Sequence, residues 1–177
     1  MKGAILEKGE EYYTYLGKIF GTINNVQQEY NWLITDCECC SQTIAFEKQI
    51  FQYKNYGWLS GEELTTMIRD EDFQWVWAVL SGFDKNITLE EVLKYNLPYA
   101  DGYKGFWENS ISMQHPLASI EIVAWDSSCT LFIRKDDKIT EDFRRGFPLS
   151  RDLSMYNKNN GIFDETEELN NWLSKNK

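Results

Sequence analysis

The stretch Phe73-Gln74-Trp75-Val76-Trp77-Ala78-Val79-Leu80 decides the fold class. Successive side chains of a strand point to opposite faces, and here both faces are apolar except at Gln74. A strand of this kind has to be covered on both sides, as the inner strands of a sheet are. The stretch therefore predicts a central strand with a packed layer on each face.

Two capping boxes lie on either side of this strand in the sequence. Ser60-Gly61-Glu62-Glu63 precedes the strand and Thr88-Leu89-Glu90-Glu91 follows it. In a capping box the first side chain accepts a hydrogen bond from the backbone N–H of the fourth residue, whose carboxylate reaches back. We therefore predict one helix from Ser60 through Arg69 and another that starts at Thr88. Asp164-Glu165-Thr166-Glu167 repeats the pattern in part and predicts a further helix start.

Apolar periodicity predicts the remaining elements. One face of a helix is indicated by residues spaced at helical intervals: Tyr12, Leu16, Ile19, Phe20 and Ile23. Short apolar or aromatic runs are typical of strands, and they occur at residues 2–7, 30–35, 44–53, 120–125 and 130–133. Asp126-Ser127-Ser128 suits the turn of a hairpin between the last two runs. Ile139 and Phe143 mark a short helix, and the polar residues 149–163 predict a surface loop.

Length and element order together predict the architecture. With 177 residues, of which 42% are hydrophobic and 15% aromatic, the chain fits one globular domain that spans residues 1–177. The order is strand, helix, strands, helix, strand, helix, hairpin, helix, which indicates an α+β fold. We expect a single α+β domain with a largely antiparallel sheet and three to five helices.

The chain is strongly acidic, with 28 Asp and Glu residues against 18 Lys and Arg residues and a net charge of −10. Its basic residues form no continuous stripe, since Arg134-Lys135 is followed by Asp136-Asp137. Binding to nucleic acid or to an anionic membrane requires clustered Lys or Arg, so neither partner is predicted. An acidic surface keeps a protein soluble or meets a basic partner.

The location predicted from the sequence is the cytoplasm. Only Ala4-Ile5-Leu6 is apolar before Glu7, which is too short for the apolar region of a signal peptide. No run approaches the roughly 20 apolar residues of a transmembrane helix. In a reducing compartment the cysteines are expected to be free thiols: Cys37, Cys39, Cys40 and Cys129.

These four cysteines are the first set of residues with possible chemistry. Tetrahedral zinc sites normally take their ligands in pairs separated by two to four residues. On a strand, Cys37 and Cys39 share one face while Cys40 points away, so the spacing argues against zinc. Gly102-Tyr103-Lys104-Gly105 lacks the third glycine of a dinucleotide site and the Lys-Ser/Thr ending of a phosphate loop. We therefore predict no metal and no cofactor.

The second set pairs Cys129 with His115, the single histidine of the chain. A cysteine nucleophile needs a base within hydrogen-bonding distance and an acid such as Asp126 to orient that base. Nothing in the local sequence holds these residues together. The sequence favours a core thiol and a loop histidine over a catalytic pair.

The most informative segment for function is the aromatic loop, residues 97–118, which shows no helical or strand periodicity. Unstructured connections of this length are usually functional. Tyrosine and tryptophan combine a large apolar area with a polar tip and often anchor interfaces. The candidate partner-binding residues are therefore rings and neighbouring carboxylates: Tyr99, Asp101, Tyr103, Trp107 and Glu108. The alternative is an aromatic flap packed on the core of its own domain.

The order of several segments resembles a known family. These segments are Met1-Lys2-Gly3, Tyr13-Thr14-Tyr15-Leu16, Tyr30-Asn31-Trp32-Leu33-Ile34, Gly61-Glu62-Glu63-Leu64 and Asp126-Ser127-Ser128. Together they are similar to a domain-of-unknown-function family of small bacterial proteins found mainly in low-GC Gram-positive bacteria. The resemblance covers residues 1–85 and 119–147. It implies no catalytic or ligand-binding residues.

Two functional hypotheses remain open. The first is a non-catalytic protein that binds a basic protein through its acidic surface and aromatic loop, in the manner of an immunity protein that neutralises a toxin. The second is an enzyme or a small-ligand-binding protein with a pocket under the aromatic loop, lined by Asp101, His115 and Cys129. A deep cavity lined by these three residues favours the second hypothesis. A flat surface with Cys129 buried among aliphatic side chains favours the first.

Overall fold

The computed structural model describes residues 1–42, 48, 50, 55–135 and 137–160. These residues form one antiparallel sheet with helices packed on it. The strands are β1 Lys2–Leu6, β2 Tyr30–Cys39, β3 Tyr56–Ser60, β4 Trp75–Asp84, β5 Ile120–Trp125, β6 Cys129–Arg134 and β7 Arg151–Asp152. The α-helices whose bounds are described are α1 Leu16–Thr22, α2 Gly61–Asp70, α3 Leu89–Val92, α4 Asp137–Gly146 and α5 Leu153–Asn160. Short 3-10 helices lie at Val26–Glu29 and Lys104–Trp107. The predicted α+β fold class is confirmed.

The strands form one antiparallel sheet in the order β3-β2-β4-β5-β6-β1-β7. β4 lies between β2 and β5, so the central position predicted for residues 73–80 is confirmed. β5 and β6 form the predicted hairpin, in which Trp125 pairs with Cys129 across the turn. The end of β1, the end of β2 and the start of β4 lie at this same end of the sheet, which we call the hairpin end.

Different layers cover the two faces of the sheet. One face carries Trp32, Leu80 and Phe132 and packs against α1, α2 and α4. The other face carries Leu33, Val79, Phe83, Val123 and Leu131 and packs against α3, the aromatic loop and the start of α5. Alternate side chains of each strand therefore enter separate cores, as the apolar pattern of β4 requires.

Two of the predicted capping boxes are confirmed, while the one at Asp164 lies outside the described residues. In the first box the backbone N–H of Glu63 donates to Ser60 Oγ over 3.2 Å, and the N–H of Ser60 donates to Glu63 Oε2 over 2.8 Å. Thr88 and Glu91 make the same pair of bonds at the start of α3. Local sequence alone is sufficient to specify these helix starts.

Replacing Ser60 by alanine is expected to lower the free energy of unfolding by about 1 kcal/mol, because the N–H of Glu63 loses its acceptor. Urea unfolding followed by circular dichroism measures this difference. Ser112→Ala, at an exposed position in the aromatic loop, is the matched control and should change stability by much less. Equal effects of the two substitutions would contradict the role of the cap.

The first predicted helix is shorter than its apolar pattern. Tyr12 is 51% exposed, and α1 begins only at Leu16. The preceding residues are held by other parts of the fold, since Thr130 Oγ1 donates to Tyr13 O over 2.8 Å and the N–H of Trp75 donates to Thr14 O over 3.2 Å. These long-range bonds take the place of a further helical turn.

Two other predictions differ from the structure. The loop predicted at residues 149–163 is wrong over its described part, which contains β7 and α5. Leu153 and Asn157 face inward from α5 and are both buried, but one of them is polar, so no apolar stripe marked the helix. The strand predicted at 44–53 lies largely outside the described residues, and its described members Lys48 and Ile50 are helical.

Candidate functional site at the aromatic loop

Three polar side chains fasten the aromatic loop to the rest of the protein. The first is Asp36, which has a positive φ of 49° at an irregularity of β2. Its Oδ2 atom accepts hydrogen bonds from the backbone N–H groups of Ala100, over 2.7 Å, and of Asp101, over 2.9 Å. Bulges of this kind redirect a side chain out of the regular alternation. Here the redirected carboxylate holds the outer part of the loop.

The second anchor is Glu121 of β5, which is completely buried. Its Oε1 atom accepts from His115 N–H and from Ser81 Oγ, each over 3.1 Å, and its Oε2 atom accepts from Gln114 N–H over 3.0 Å. The side chain of Gln114 in turn bonds both backbone groups of Tyr99. Burial raises the pKa of the Glu121 carboxyl to about 7, against the opposing effect of its hydrogen bonds. This buried carboxyl therefore holds the returning part of the loop.

The third anchor is Asn157 of α5, of which 4% is exposed. Its amide Nδ2 donates to the carbonyl oxygens of Phe106, over 2.9 Å, and Glu108, over 2.7 Å. Phe106 itself is buried in the core between the sheet and the aromatic loop. The 3-10 helix that carries Phe106 and Trp107 is thus tied to α5.

These anchors place four half-buried rings in a continuous line at the hairpin end, which we call the aromatic row: Trp77, Trp125, Trp107 and Tyr156. The ring centroids of Trp77 and Trp125 are 5.1 Å apart, and those of Trp125 and Trp107 are 4.9 Å apart. Tyr156 follows at 6.2 Å from Trp107. The two Trp–Trp pairs are edge-to-face, a favourable arrangement of aromatic rings, and the Tyr156 ring is tilted by 48° against that of Trp107. The row joins β4, β5, the loop and α5 into one surface.

An acidic pocket lies at one end of the aromatic row. It has a volume of about 270 Å³ and is lined by Asp36, Cys37, Glu38, Trp77 and Asp101. The three carboxylate-bearing residues are exposed, and the Trp77 ring is half-buried. Carboxylates next to an aromatic ring suit an organic cation.

A larger groove lies at the other end of the row. Its volume is about 690 Å³, and its lining is Glu7, Lys8, Trp107, Trp125, Ser128, Cys129, Tyr156 and Asn157. Arg151 lies at its rim, where the guanidinium bonds Glu7 and stacks 4.4 Å from the centroid of Tyr156. The groove therefore combines aromatic walls with charged and polar groups.

The proposed partner-binding residues of the loop separate into two groups. Tyr99 is 49% exposed, and Asp101 and Glu108 are exposed as well. Tyr103 and Trp107 are half-buried, because their rings pack on Phe106 and on Trp125, respectively. The loop is thus part of the core on its inner side and available for contact on its outer side.

The three residues of the alternative pocket lie apart. Asp101 lines the acidic pocket and Cys129 lines the groove. His115 is buried, with Nε2 bonded to Val92 O over 3.1 Å and Nδ1 accepting from Leu117 N–H over 3.2 Å. Each residue thus has its own surroundings, and the imidazole is oriented by backbone groups of the loop and α3.

The environments of His115 and Cys129 do not match those of an activated pair. Burial lowers the pKa of the His115 imidazole, and burial raises the pKa of the Cys129 thiol to about 12. A cysteine nucleophile needs the opposite shift, towards the thiolate. Cys129 therefore lies in the groove as a protonated thiol at neutral pH.

The other cysteines lie at the end of β2. Cys37 and Cys39 pack against the core that lies between the sheet and α1, α2 and α4, and Cys40 is exposed. A hydrogen bond with Cys39, together with burial, raises the pKa of the Cys37 thiol. Within the described ranges, no group of three or more His, Cys, Asp and Glu side chains has the arrangement of a metal site. The helices of the same ranges include none that has the length and apolarity to cross a bilayer.

Comparison with known proteins places the chain in a family. The family model described as a protein of unknown function, DUF2691, matches residues 1–98, which is more than half of the chain. The chain belongs to the DUF2691 family. The match confirms the resemblance seen in residues 1–85, and the DUF2691 region contains Asp36, Glu38 and Trp77 but ends before Tyr99. No curated protein and no solved structure matches the chain.

Sequence reasoning missed all three anchors of the loop in this DUF2691 protein. Glu121 interrupts the apolar run Ile120–Trp125, and an acidic residue in a strand with two buried faces is a signal of a buried polar role. Asn157 carries no comparable signal, because it lies in a polar stretch that also contains Asn159 and Asn160. Its role depends on where α5 packs.

Proposed function

We propose that the protein acts by binding a basic protein partner through the outer side of the aromatic loop, the aromatic row and the acidic pocket. The observation that carries the proposal is the continuity of half-buried Trp77 with the carboxylates of Asp36, Glu38 and Asp101 in one pocket. A Lys or Arg side chain of the partner gains from the ring face and from the carboxylates together. Tyr99 and Glu108 extend the contact surface.

Rigidity of the loop supports this proposal. Asp36, Glu121 and Asn157 together make hydrogen bonds to the backbone of residues 100, 101, 106, 108, 114 and 115. A surface that is ordered before binding loses less conformational entropy when the partner arrives. The aromatic loop thus resembles a preformed interface more than a segment that folds on binding.

A photo-crosslinking amino acid at position 99 identifies the partner. Tyr99 is 49% exposed next to the acidic pocket, whereas Leu93, 41% exposed directly after α3, lies toward the opposite end of the sheet and serves as the control position. We expect one basic protein to be captured from position 99 and not from position 93. Capture of the same proteins from both positions, or of acidic proteins only, would contradict the proposal.

Once the partner is in hand, Asp101→Asn combined with Glu38→Gln is expected to weaken its binding about fivefold and to reduce the dependence of the association rate on salt. Both side chains are exposed, so the fold should be unaffected. Glu90→Gln together with Asp70→Asn removes the same charge at exposed positions that do not line the pocket. Equal weakening by the two pairs would show that net charge, rather than the acidic pocket, determines binding.

A further inference from the structure

We propose that the groove at the end of the aromatic row binds a small planar aromatic molecule that carries an anionic group and a ring N–H or O–H donor. This site is separate from the acidic pocket, and the inference does not rest on the proposed protein partner. Three features of the groove define the ligand: its walls, its charge and one unpartnered acceptor.

The walls of the groove fit a planar ring. Trp107, Trp125 and Tyr156 all line it, and each ring is half-buried with part of its surface open. The volume of about 690 Å³ lies in the range of small-molecule sites, which are mostly apolar with few polar groups. Stacking and edge contacts with indole and phenol rings favour a flat aromatic ligand over an aliphatic one.

The charge of the groove differs from that of the protein as a whole. Glu7 is neutralised by Arg151, which also stacks on Tyr156. Lys8 lines the groove, is exposed, and forms no ion pair with any described carboxylate. In a protein with a net charge of −10, this groove therefore presents an ammonium group that an anionic ligand can neutralise.

An unpartnered acceptor specifies the donor of the ligand. Asn157 lines the groove, and both of its amide hydrogens are directed to the carbonyl oxygens of Phe106 and Glu108. Its Oδ1 atom is buried and has no hydrogen-bond partner among the described residues. Rotating the amide by 180° would exchange Nδ2 and Oδ1 and break both of these hydrogen bonds. Since buried polar atoms are nearly always paired, a donor on the ligand completes this site.

Four probes separate the contributions of the aromatic ring, the charge and the donor. Each probe is titrated into the full chain, and binding is measured by calorimetry and by the NMR shifts of the tryptophan side-chain N–H groups. Indole-3-acetate has the ring, the donor and the negative charge. Indole-3-acetamide is neutral, tryptamine is cationic, and naphthalene-1-acetate keeps the charge but lacks the N–H. We expect indole-3-acetate to bind about three- to fivefold more tightly than the amide, and tryptamine to be the weakest. Loss of the N–H should weaken binding about fivefold.

Lys8→Gln tests the charge at an exposed position that leaves the fold unchanged, and Lys94→Gln, exposed on the chain after α3, is the matched control. We expect Lys8→Gln to remove the preference for the acetate over the amide, and Lys94→Gln to leave it. The inference is overturned if none of the probes binds at millimolar concentration. It is also overturned if the anionic, neutral and cationic probes bind equally, or if tryptamine binds best.

Discussion

The free energy of unfolding is expected to fall by roughly 2–3 kcal/mol between pH 5 and pH 8 because of Glu121, and replacing Glu121 by glutamine should remove this loss. The carboxyl has a pKa of about 7 in the folded protein and an ordinary value of 4.5 when unfolded. Below pH 4.5 it is protonated in both states. As the pH rises, the unfolded chain releases its proton first, so stability is lost until the folded carboxyl has also ionised above pH 7. Urea unfolding at several pH values measures this slope.

The wild type and the glutamine variant have to be compared at each pH, because His115 acts in the opposite direction. Its pKa is lowered by burial, so its contribution to stability is lost as the pH falls. This effect is present in both proteins and cancels in their difference. The glutamine NH₂ group only donates, so the backbone N–H of Gln114 or of His115 would lose its acceptor, which should cost roughly 1–3 kcal/mol at pH 5. Glu90→Gln, at an exposed position, should keep the wild-type slope, and a Glu121→Gln variant with that same slope would refute the assignment.

Replacing Asn157 by aspartate is expected to lower the free energy of unfolding by about 3 kcal/mol or more at neutral pH. The new carboxylate would face the carbonyl oxygens of Phe106 and Glu108, which the amide now bonds. It would carry an uncompensated charge at a position that is 4% exposed. Denaturant unfolding, observed through tryptophan fluorescence, reports both global stability and the environment of Trp107.

The matched control for this substitution is Asn159→Asp, two residues along the same helix and exposed. It introduces the same charge and should change stability by less than about 0.5 kcal/mol. The Asn157→Asp variant should recover part of its stability on acidification, because protonation restores one donor to the carbonyl groups. If both variants behave alike, Asn157 does not anchor the loop.

Much of the fold follows from local patterns. The two apolar faces of residues 73–80 predict the central β4, and Ser60 and Thr88 begin α2 and α3 through bonds within four residues. The hairpin of β5 and β6 also follows from adjacent segments. These predictions succeed because their determinants lie close together in the sequence.

The candidate site was only partly predictable. The aromatic loop drew attention to Tyr99, Asp101 and Trp107, and in the structure Asp101 lines the acidic pocket whereas Trp107 lines the groove. In the sequence, Trp77 and Trp125 are indistinguishable from ordinary strand residues. The contact between their rings depends on the pairing of β4 with β5. His115, Asp101 and Cys129 carry reactive groups, but the fold holds each of them in different surroundings.

By itself, the sequence determined the α+β class, the central strand, the helix caps and the acidic balance of the protein. Each of these depends on composition or on residues a few positions apart. Only the tertiary structure decided that Asp36, Glu121 and Asn157 hold one loop, and that the acidic pocket and the groove lie at opposite ends of the aromatic row. The hydrogen bonds that hold the loop join residues 6 to 65 positions apart, and bonds over such separations form only when strand register and helix packing bring the partners together.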